Sequence, residues 1–341
     1  MPRRPPRLAR RELLTRLVPA RGGAEGHWIR VHRPAMACRF EVTLASEDAR
    51  FVPAARAALD EVDAIEGALT VFRDSSELAQ VNREASSGPV RVSPDLMALL
   101  GRCQDLHAAT EGAFDPTSTP LSREWGFLAR EGRQPSPEEI EASRARVGME
   151  RVALDREQLT VVFTEPGVEL NLGSIGKGWA LDRIEAGLRA AGVDRALLSA
   201  GGSSLLGWGR DAWHVALSPG GRPLGELWLA GAALGTSGAG EQHFEVDGRR
   251  FGHVIDPRSG RPAERVVSAS VVTADATTAD AVATALLVGG PALARAWCAD
   301  HPDRTAMLVL EEDAQTLHVF GAGDRVPLEP ATGIRLAAEG D

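Results

Sequence analysis

Residues 266–290 read VVSASVVTADATTADAVATALLVGG and contain the strand and helix around which the rest of the chain is interpreted. Residues 266–273 are rich in β-branched side chains, which predicts a strand. From about Thr278 an Ala-, Leu- and Val-rich run continues without a breaker as far as Gly289–Gly290, which predicts a helix. Because this helix is apolar on nearly every face, we expect it to be buried in the core.

Two polar side chains of this helix, Asp280 and Thr284, are four residues apart and therefore share one face. A carboxylate in a buried segment is costly unless a partner compensates its charge. A carboxylate and a hydroxyl directed at one point suit a hard cation such as Mg²⁺, with phosphate oxygens and waters as further ligands. A structural alternative stays open, because Thr277 and Asp280 match a capping box and Thr284 can bond the carbonyl four residues back.

The composition is ordinary for a globular protein. Of the 341 residues 43% are hydrophobic and 25% are charged, so the chain can bury a large core in one or two domains. The net charge of −9 argues against non-specific binding to nucleic acid. Cys38, Cys103 and Cys298 match neither a metal-binding nor a redox spacing, so we interpret them as packing residues.

The first 23 residues carry seven arginines and one acid, which is similar to the charged start of an export signal. No apolar run of sufficient length follows, so we expect a disordered basic tail over residues 1–26 and a cytoplasmic protein. If the true start codon lies elsewhere, export is the alternative. The longest uncharged apolar run, residues 281–294, contains two glycines and a proline and is too short to span a bilayer. We therefore expect no stable membrane insertion.

Helical and strand patterns are mixed along the rest of the chain. Residues 51–69 show helical periodicity, whereas residues 208–251 read as short strands separated by glycine turns. The regular alternation of strand and helix that marks a doubly wound sheet is missing, so the pattern predicts an α+β fold. We expect one domain over residues 27–328 and a loose C-terminal tail over residues 329–341.

Several short segments are candidate ligand sites, although each is weak alone. Residues 170–178 (LNLGSIGKG) place glycines and Lys177 at a helix start, where backbone N–H groups can face an anion. The spacing is not that of a Walker A loop, and a lysine there is more often solvated than functional. His253 between apolar residues is more often a core histidine, and Asp115 before a proline is typical of a turn.

Eight segments, taken in order along the chain, match a single family. They are MACRF (36–40), FRDSSELAQVN (72–82), GAFDPTSTPL (112–121) with the WGF that follows, NLGSIGKGWALD (171–182), AGGSSLLGWG (200–209), GTSG (235–238), HVIDPRSGRP (253–262) and ADAVATAL (279–286). The sequence resembles the ApbE family, the FAD:protein FMN transferases, over about residues 35–290. Each block alone has low specificity, whereas eight blocks in family order are highly specific.

The resemblance implies both a fold and a reaction. The fold is an ApbE-type α+β fold similar to the T-fold architecture, with mixed sheets and packed helices around an FAD cleft. The reaction is Mg²⁺-dependent transfer of FMN from FAD to a threonine or serine hydroxyl of an acceptor flavoprotein, with release of AMP. The alternatives are an FAD pyrophosphatase that yields FMN and AMP, and a non-catalytic FAD-binding protein. The matching Asp280, Thr284 and Lys177 favour an enzyme over a carrier.

The resemblance also implies roles for single residues. Asp280 and Thr284 match side-chain ligands of the metal, and Ser174 matches a ligand through its carbonyl oxygen. Lys177 would hold the FAD phosphates or neutralise the leaving AMP, and His253 is the candidate base for the acceptor hydroxyl. The positions that match FAD contacts, or that would lie close to FAD, are Met36, Phe72, Ala113, Phe114, Asp115, Asn171, Gly201, Gly202 and Ser237.

The chain departs from the family pattern at four places. Ala37-Cys38 replaces Gly-Thr, Phe72 stands where a tyrosine is common, and Asn171 stands for an aspartate. Ser203-Ser204 follows the glycine pair in place of an Asp or Asn. These departures leave the metal and lysine positions intact. They bear on the choice of acceptor and on whether FMN is transferred to a protein or FAD is hydrolysed by water.

Overall fold

A nine-stranded sheet runs through the computed structural model, which describes residues 27–240, 242–246, 248–299, 301–321 and 327–339. With strands numbered in chain order, the spatial order is β1 (Trp28–Ala35), β2 (Cys38–Ala45), β6 (Ala196–Ala200), β7 (Ser204–Trp208), β10 (Ala232–Gly238), β15 (Val266–Thr273), β16 (Thr305–Leu310), β17 (Thr316–Gly321) and β19 (Arg335–Glu339). Neighbouring strands are antiparallel except β17 and β19, which are parallel. The tail expected over residues 1–26 lies outside the described residues.

The remaining strands form smaller sheets. One of three strands consists of β18 (Leu328–Pro330), β9 (Gly225–Leu229) and β8 (Trp213–Leu217), and another of β3 (Val90–Arg91), β5 (Thr160–Phe163) and β4 (Val152–Asp155). Two hairpins are formed by β11 (His243–Val246) with β12 (Arg249–Gly252), and by β13 (Ile255–Asp256) with β14 (Arg261–Pro262). An apolar cluster joins the β8–β9 sheet to residues of the large sheet such as Leu205, Leu234 and Met307.

Helices alternate irregularly with these strands, which confirms the expected α+β class. They are α1 (Val52–Leu69), α2 (Glu77–Glu84), α3 (Pro94–Ala109), α4 (Thr119–Glu124), α5 (Pro137–Arg144), α6 (Gly176–Ala190) and α7 (Ala276–Cys298), with 3₁₀ turns at Ser46–Phe51, Met149–Arg151 and Pro219–Gly221.

Helix α7 is buried, as its apolar sequence predicts. Its side chains join two apolar clusters, one shared with α3 and β15 and the other with α1 and α6. It is long and apolar enough to cross a membrane, but most of its residues are buried inside the protein, as in the core helix of a soluble domain. The helix is interrupted at Gly290, where φ is 64° and Pro291 follows, so the Gly289–Gly290 break predicted from the sequence is confirmed.

Two glycines let neighbouring elements approach the first turns of α7 closely. A Cβ added to Gly178 of α6 would lie 2.1 Å from the backbone oxygen of Ala276. A Cβ added to Gly235 of β10 would lie 2.3 Å from the backbone oxygen of Ala279. Only glycine fits such contacts, because real Cβ atoms do not come so near to backbone oxygens. Helix α6 and strand β10 are thereby brought against the same part of α7.

The capping-box alternative for Thr277 and Asp280 is wrong. The N-cap of α7 is Asp275, whose Oδ1 accepts a hydrogen bond from Thr278 N at 2.8 Å. The preceding amides of Ala276 and Thr277 donate to Asp182 of α6 at 2.8 and 2.9 Å. Because other carboxylates satisfy the orphan amides of this helix end, Asp280 is left for other contacts.

The loose tail expected over residues 329–341 is not what the described part of that range shows. Strand β18 pairs with β9, and β19 pairs along its length with β17. Glu339 also accepts from Arg295 at 3.2 Å and lies 2.8 Å from His318 Nδ1. The sequence pattern is a poor guide here, since partners far away in sequence hold both strands in place.

Candidate active site

A cavity of about 400 Å³ lies beside the first half of α7, which is within the range of small-ligand sites. Its walls come from residues 113–128, the start of α6, the end of β10, residues 242–257 and α7 itself. Most of the residues predicted from the sequence line this cavity: Ala113, Phe114, Asp115, Asn171, Ser174, Lys177, Ser237, His253, Asp280 and Thr284.

The carboxylate of Asp280 is the most heavily hydrogen-bonded group of the cavity wall. Lys177 Nζ donates to its two oxygens at 2.9 and 3.2 Å. Gly178 N donates at 3.1 Å and Ser204 Oγ at 2.8 Å. The residue is only 2% exposed, so these donors compensate a charge that would otherwise be costly to bury. Because Lys177 also borders the cavity, a charged pair is available to a ligand there.

Thr284 lies one helical turn beyond Asp280. Its Oγ1 is 2.9 Å from Ser237 Oγ of β10 and donates to the backbone oxygen of Asp280 at 3.3 Å. The backbone bond is the structural alternative left open by the sequence, and it is present, although long. Both hydroxyls line the cavity beside the carboxylate. The result is a cluster of oxygen atoms of the kind that a hard cation binds.

The segment that leads into α6 supplies a second part of this polar wall. Asn171 Oδ1 accepts from Gly173 N at 2.9 Å, and Asn171 N donates to Pro116 O at 2.8 Å, which fixes the turn before the helix. Ser174 follows this turn and lines the cavity. The cap residue Ile175 has no side-chain hydrogen bond to the helix end. Lys177 in the first turn of α6 also lines the cavity, so the positive end of the α6 dipole lies close to it and favours an anion.

Asp115 is a buried carboxyl group beside Phe114 on the cavity wall. Burial raises its pKa above the ordinary value, and this effect exceeds the opposing influence of Thr117 and His107. Thr117 donates to Asp115 Oδ1 through its backbone N at 2.8 Å and its hydroxyl at 2.6 Å. His107 Nδ1 lies 3.3 Å from Asp115 Oδ2. These contacts hold the 113–117 turn in place.

His253 lines the cavity from the segment that follows the β11–β12 hairpin. Its Nδ1 is 3.3 Å from the backbone oxygen of Gln242, and its backbone N donates to the same oxygen at 3.0 Å. Burial lowers the pKa of the imidazole, so the ring is neutral at neutral pH. A carbonyl can only accept a hydrogen bond, so this contact places the proton on Nδ1 and leaves the lone pair on Nε2.

Four predicted residues do not line the cavity. Phe72 is 81% exposed between α1 and α2, and Met36 forms part of the β1–β2 turn. Gly201 and Gly202 form the β6–β7 turn with φ values of 61° and 71°. Ser203, which follows them, does line the cavity, so this turn lies next to it.

No role was predicted for three residues that the structure places at the site. Ser204 donates to Asp280, although 76 positions separate the two in the chain. Thr236 of β10 lines the cavity and lies 3.0 Å from Ser270 Oγ. Asp182 holds the first amides of α7, and burial raises its pKa to about 6. Ser204 and Asp182 both fall inside matched sequence blocks, which was the available signal.

The residues that line the cavity all lie within a sequence match to a known protein family. A sequence model of the ApbE family matches residues 36–309, which is most of the chain. The chain belongs to the ApbE family.

Relatives and solved structures of the ApbE family agree with this assignment. The FAD:protein FMN transferase of Vibrio cholerae is 36% identical over 232 residues, which is 65% of this chain and 69% of the relative. The FAD:protein FMN transferase of Treponema pallidum is 33% identical over 295 residues, 79% of this chain and 81% of the relative. The ApbE protein of Thermotoga maritima has a TM-score of 0.77 at 27% identity, over 90% of this chain and 97% of its own. The expected ApbE-type fold is therefore confirmed.

The oxygen atoms around Asp280 can be compared with the set of ligands that a metal ion requires. Within the described ranges there is no group of three or more His, Cys, Asp or Glu side chains that could hold a metal ion. Asp280 and Thr284 offer one carboxylate and one hydroxyl oxygen, and Ser174 lines the same cavity. Mg²⁺ commonly binds through one or two carboxylates together with waters and substrate phosphates. This ApbE site thus fits Mg²⁺ bound jointly with a phosphate ligand, provided that Lys177 yields a carboxylate oxygen.

Proposed function

We propose that this protein is an FAD:protein FMN transferase, which moves FMN from FAD to a threonine or serine hydroxyl of an acceptor flavoprotein and releases AMP. The observation that carries the proposal is the cavity in which Lys177, Asp280, Thr284 and His253 meet. It combines a cation, metal-binding oxygens and a neutral base, the groups that phosphoryl transfer requires. The names of the family relatives support the same activity.

In this proposal Mg²⁺ is held by the side chains of Asp280 and Thr284 and by the carbonyl oxygen of Ser174. The ion would supply neutralisation of the charge on the pyrophosphate of FAD. Ser237 and Ser204 keep the two side chains in place through their hydrogen bonds at 2.9 and 2.8 Å. Metal binding is thus tied to residues of β7 and β10 as well as to α7.

Lys177 and the start of α6 position the pyrophosphate. The ammonium group is a flexible point charge that can move from the Asp280 carboxylate to a phosphate oxygen. Its attraction to Asp280 restricts where it can lie, because Nζ is within 3.2 Å of both carboxylate oxygens. The positive helix end adds to the same field. The leaving AMP, which gains negative charge as it departs, is stabilised by these groups.

His253 accepts the proton of the acceptor hydroxyl. The hydroxyl oxygen bonds to the phosphorus on the FMN side of the pyrophosphate, and the bond from that phosphorus to the bridging oxygen breaks. AMP departs with the bridging oxygen, and the hydroxyl proton passes to Nε2 of His253. The lowered pKa of this histidine keeps Nε2 unprotonated at neutral pH and so ready to act as a base.

The reaction is tested by incubating the full-length protein with FAD and a threonine-containing acceptor peptide, with Mg²⁺ or with EDTA. AMP is quantified by chromatography and the flavinylated peptide by mass spectrometry. Equal amounts of AMP and flavinylated peptide, formed only with Mg²⁺, are expected. AMP with free FMN and an unmodified peptide would instead identify an FAD pyrophosphatase. FAD that stays bound and intact would contradict the proposal.

Asp280→Asn is the variant that links this activity to the site. It keeps the size of the side chain but removes the charge that binds Mg²⁺ and Lys177, so turnover should fall by about 10²-fold or more. Asp275→Asn is the matched control, since it is on the same helix but does not line the cavity. Its turnover should stay within about threefold of the wild type, because Asn also caps helices well. Equal losses in both variants would indicate a general effect on the helix.

A further inference from the structure

Thr119, the first residue of α4, borders the cavity and does not take part in the proposed chemistry. The residue is 4% exposed. Its Oγ1 is buried and has no hydrogen-bond partner among the residues that the structure describes. Buried hydroxyl groups in native proteins almost always have a partner. An unpaired one at the edge of a ligand cavity indicates that the ligand supplies the acceptor.

Two further hydroxyls lie on the same part of the cavity wall. Ser118 is the cap residue of α4, but its side chain makes no capping hydrogen bond. Ser122 is four residues further on and therefore on the same face as Ser118. Both line the cavity with Thr119. Three residues that carry a hydroxyl group thus lie together at this end of the cavity.

Apolar side chains also contribute to the wall of this cavity. Phe127, Leu128, Val254 and Pro257 line the same cavity. The backbone N of Phe127 donates to the backbone oxygen of Ser122 at 3.0 Å, which holds the two residues close together. Ser118, Thr119 and Ser122 carry no charge, so a phosphate would gain less from them than from Lys177 on the same cavity wall. A flat ring with apolar faces and hydrogen-bond acceptors on its edge matches it.

We propose that the Ser118–Thr119–Ser122 wall holds the edge of a heteroaromatic ring of FAD, with Thr119 Oγ1 donating to a ring carbonyl or ring nitrogen. The proposal rests on the proposed function for the identity of the ligand. Threonine in a helix exchanges between two side-chain rotamers, so the hydroxyl can turn to an acceptor in the cavity. The flavin and adenine rings both carry suitable acceptors, and binding of the two halves of FAD separately distinguishes them.

The test is the nearly isosteric variant Thr119→Val. Because the hydroxyl has no partner in the unliganded protein, its removal should leave the Tm of the ligand-free protein unchanged or higher. The Kd for FAD should rise by about three- to tenfold, the effect of losing one neutral hydrogen bond. FMN and AMP are then measured separately by competition against FAD. A rise in the Kd of FMN places the flavin at this wall, and a rise in the Kd of AMP places the adenine there.

Two further variants make the result specific. Thr119→Ser keeps the hydroxyl and should restore most of the affinity. Thr43→Val makes the same change at a buried threonine of β2 outside the cavity and should leave the Kd for FAD unchanged. Unchanged affinity of Thr119→Val for both FMN and AMP would overturn the proposal, as would a lower Tm of the ligand-free protein. A wild type that binds no FAD would overturn the proposed function itself.

Discussion

The turn between β1 and β2 holds two residues in a backbone conformation that favours glycine. Ala35 pairs directly with Cys38, so Met36 and Ala37 form a two-residue hairpin turn. Their φ values are 48° and 58°, in the left-handed region that favours glycine or asparagine. The sequence comparison expected glycine in place of Ala37, and the structure gives the physical reason. The turn keeps its shape with alanine, at a cost in stability.

Ala37→Gly should therefore raise the free energy of unfolding by about 1 kcal/mol, because a left-handed conformation costs an L-residue roughly this much. The measurement is urea unfolding followed by circular dichroism. Ala35→Gly, at the end of the extended strand β1, is the matched control and should lower stability by about 1 kcal/mol, because glycine loses more conformational freedom on folding than alanine and a buried methyl group is lost. A loss of stability in Ala37→Gly would contradict the argument.

Site residues could be predicted from the sequence where the residues that act together are close in the chain. Asp280 and Thr284 could be paired in advance, since a helix brings positions four apart to one face. Lys177 and His253 were found through short matched blocks. The Ser204–Asp280 hydrogen bond and the unpaired hydroxyl of Thr119 could not be predicted. Both depend on where strands and helices from distant parts of the chain come together.

At the level of elements, the site depends on how closely α6 approaches α7. Gly178→Ala would place a Cβ 2.1 Å from the backbone oxygen of Ala276, which cannot move without shifting the helix. We expect it to lower the free energy of unfolding by about 1–3 kcal/mol, as overpacking does, and to reduce FAD turnover because Lys177 and Asp280 separate. Unfolding by urea and AMP release report the two effects.

Gly187→Ala is the control for this prediction. It lies on the same helix, and an added Cβ there meets nothing within 4 Å. Alanine is a better helix former than glycine, so this variant should gain about 0.5–1 kcal/mol and keep its activity. If both variants behave alike, close packing against α7 is not what requires glycine at position 178.

Asp182 makes the junction of α6 and α7 sensitive to pH. Burial raises the pKa of this carboxyl from 3.8 to about 6. The folded protein then binds the proton more tightly than the unfolded chain, so stability falls as pH rises through this interval and the loss is complete above about pH 6. The shift corresponds to roughly 2–3 kcal/mol. Asp182→Asn cannot ionise and should not show this loss.

The measurement is urea unfolding of the wild type and Asp182→Asn at pH 4, 5, 6 and 7. The stability of the wild type relative to the variant should decrease by roughly 2–3 kcal/mol between pH 4 and pH 7. An increase over the same interval would show that the hydrogen bonds from the amides of Ala276 and Thr277, at 2.8 and 2.9 Å, outweigh burial.

At the level of the whole molecule, the large sheet separates two apolar layers. One lies between the sheet and its helices, and the other between the sheet and the β8–β9 sheet. The α+β class and the central strand–helix unit were predictable from local periodicity. The strand order was not, since β2 pairs with β6 and β7 with β10 across long intervening segments. Periodicity shows which face of a strand is buried but does not identify its neighbour.

The C-terminal strand β19 pairs with a strand that the local sequence pattern does not identify, and its contribution to stability can be measured. Deleting residues 335–341 removes the strand that pairs with β17 from Thr316 to Phe320 and exposes that edge. We expect the free energy of unfolding to fall by about 2 kcal/mol, because the loss of several backbone hydrogen bonds is only partly offset by the entropy cost of ordering this strand, which the shortened chain no longer has. The affinity of the folded protein for FAD should not change, because neither β17 nor β19 lines the cavity. Urea unfolding and FAD titration measure the two quantities. An unchanged free energy of unfolding would show that these residues contribute nothing to stability, as expected for a loose tail.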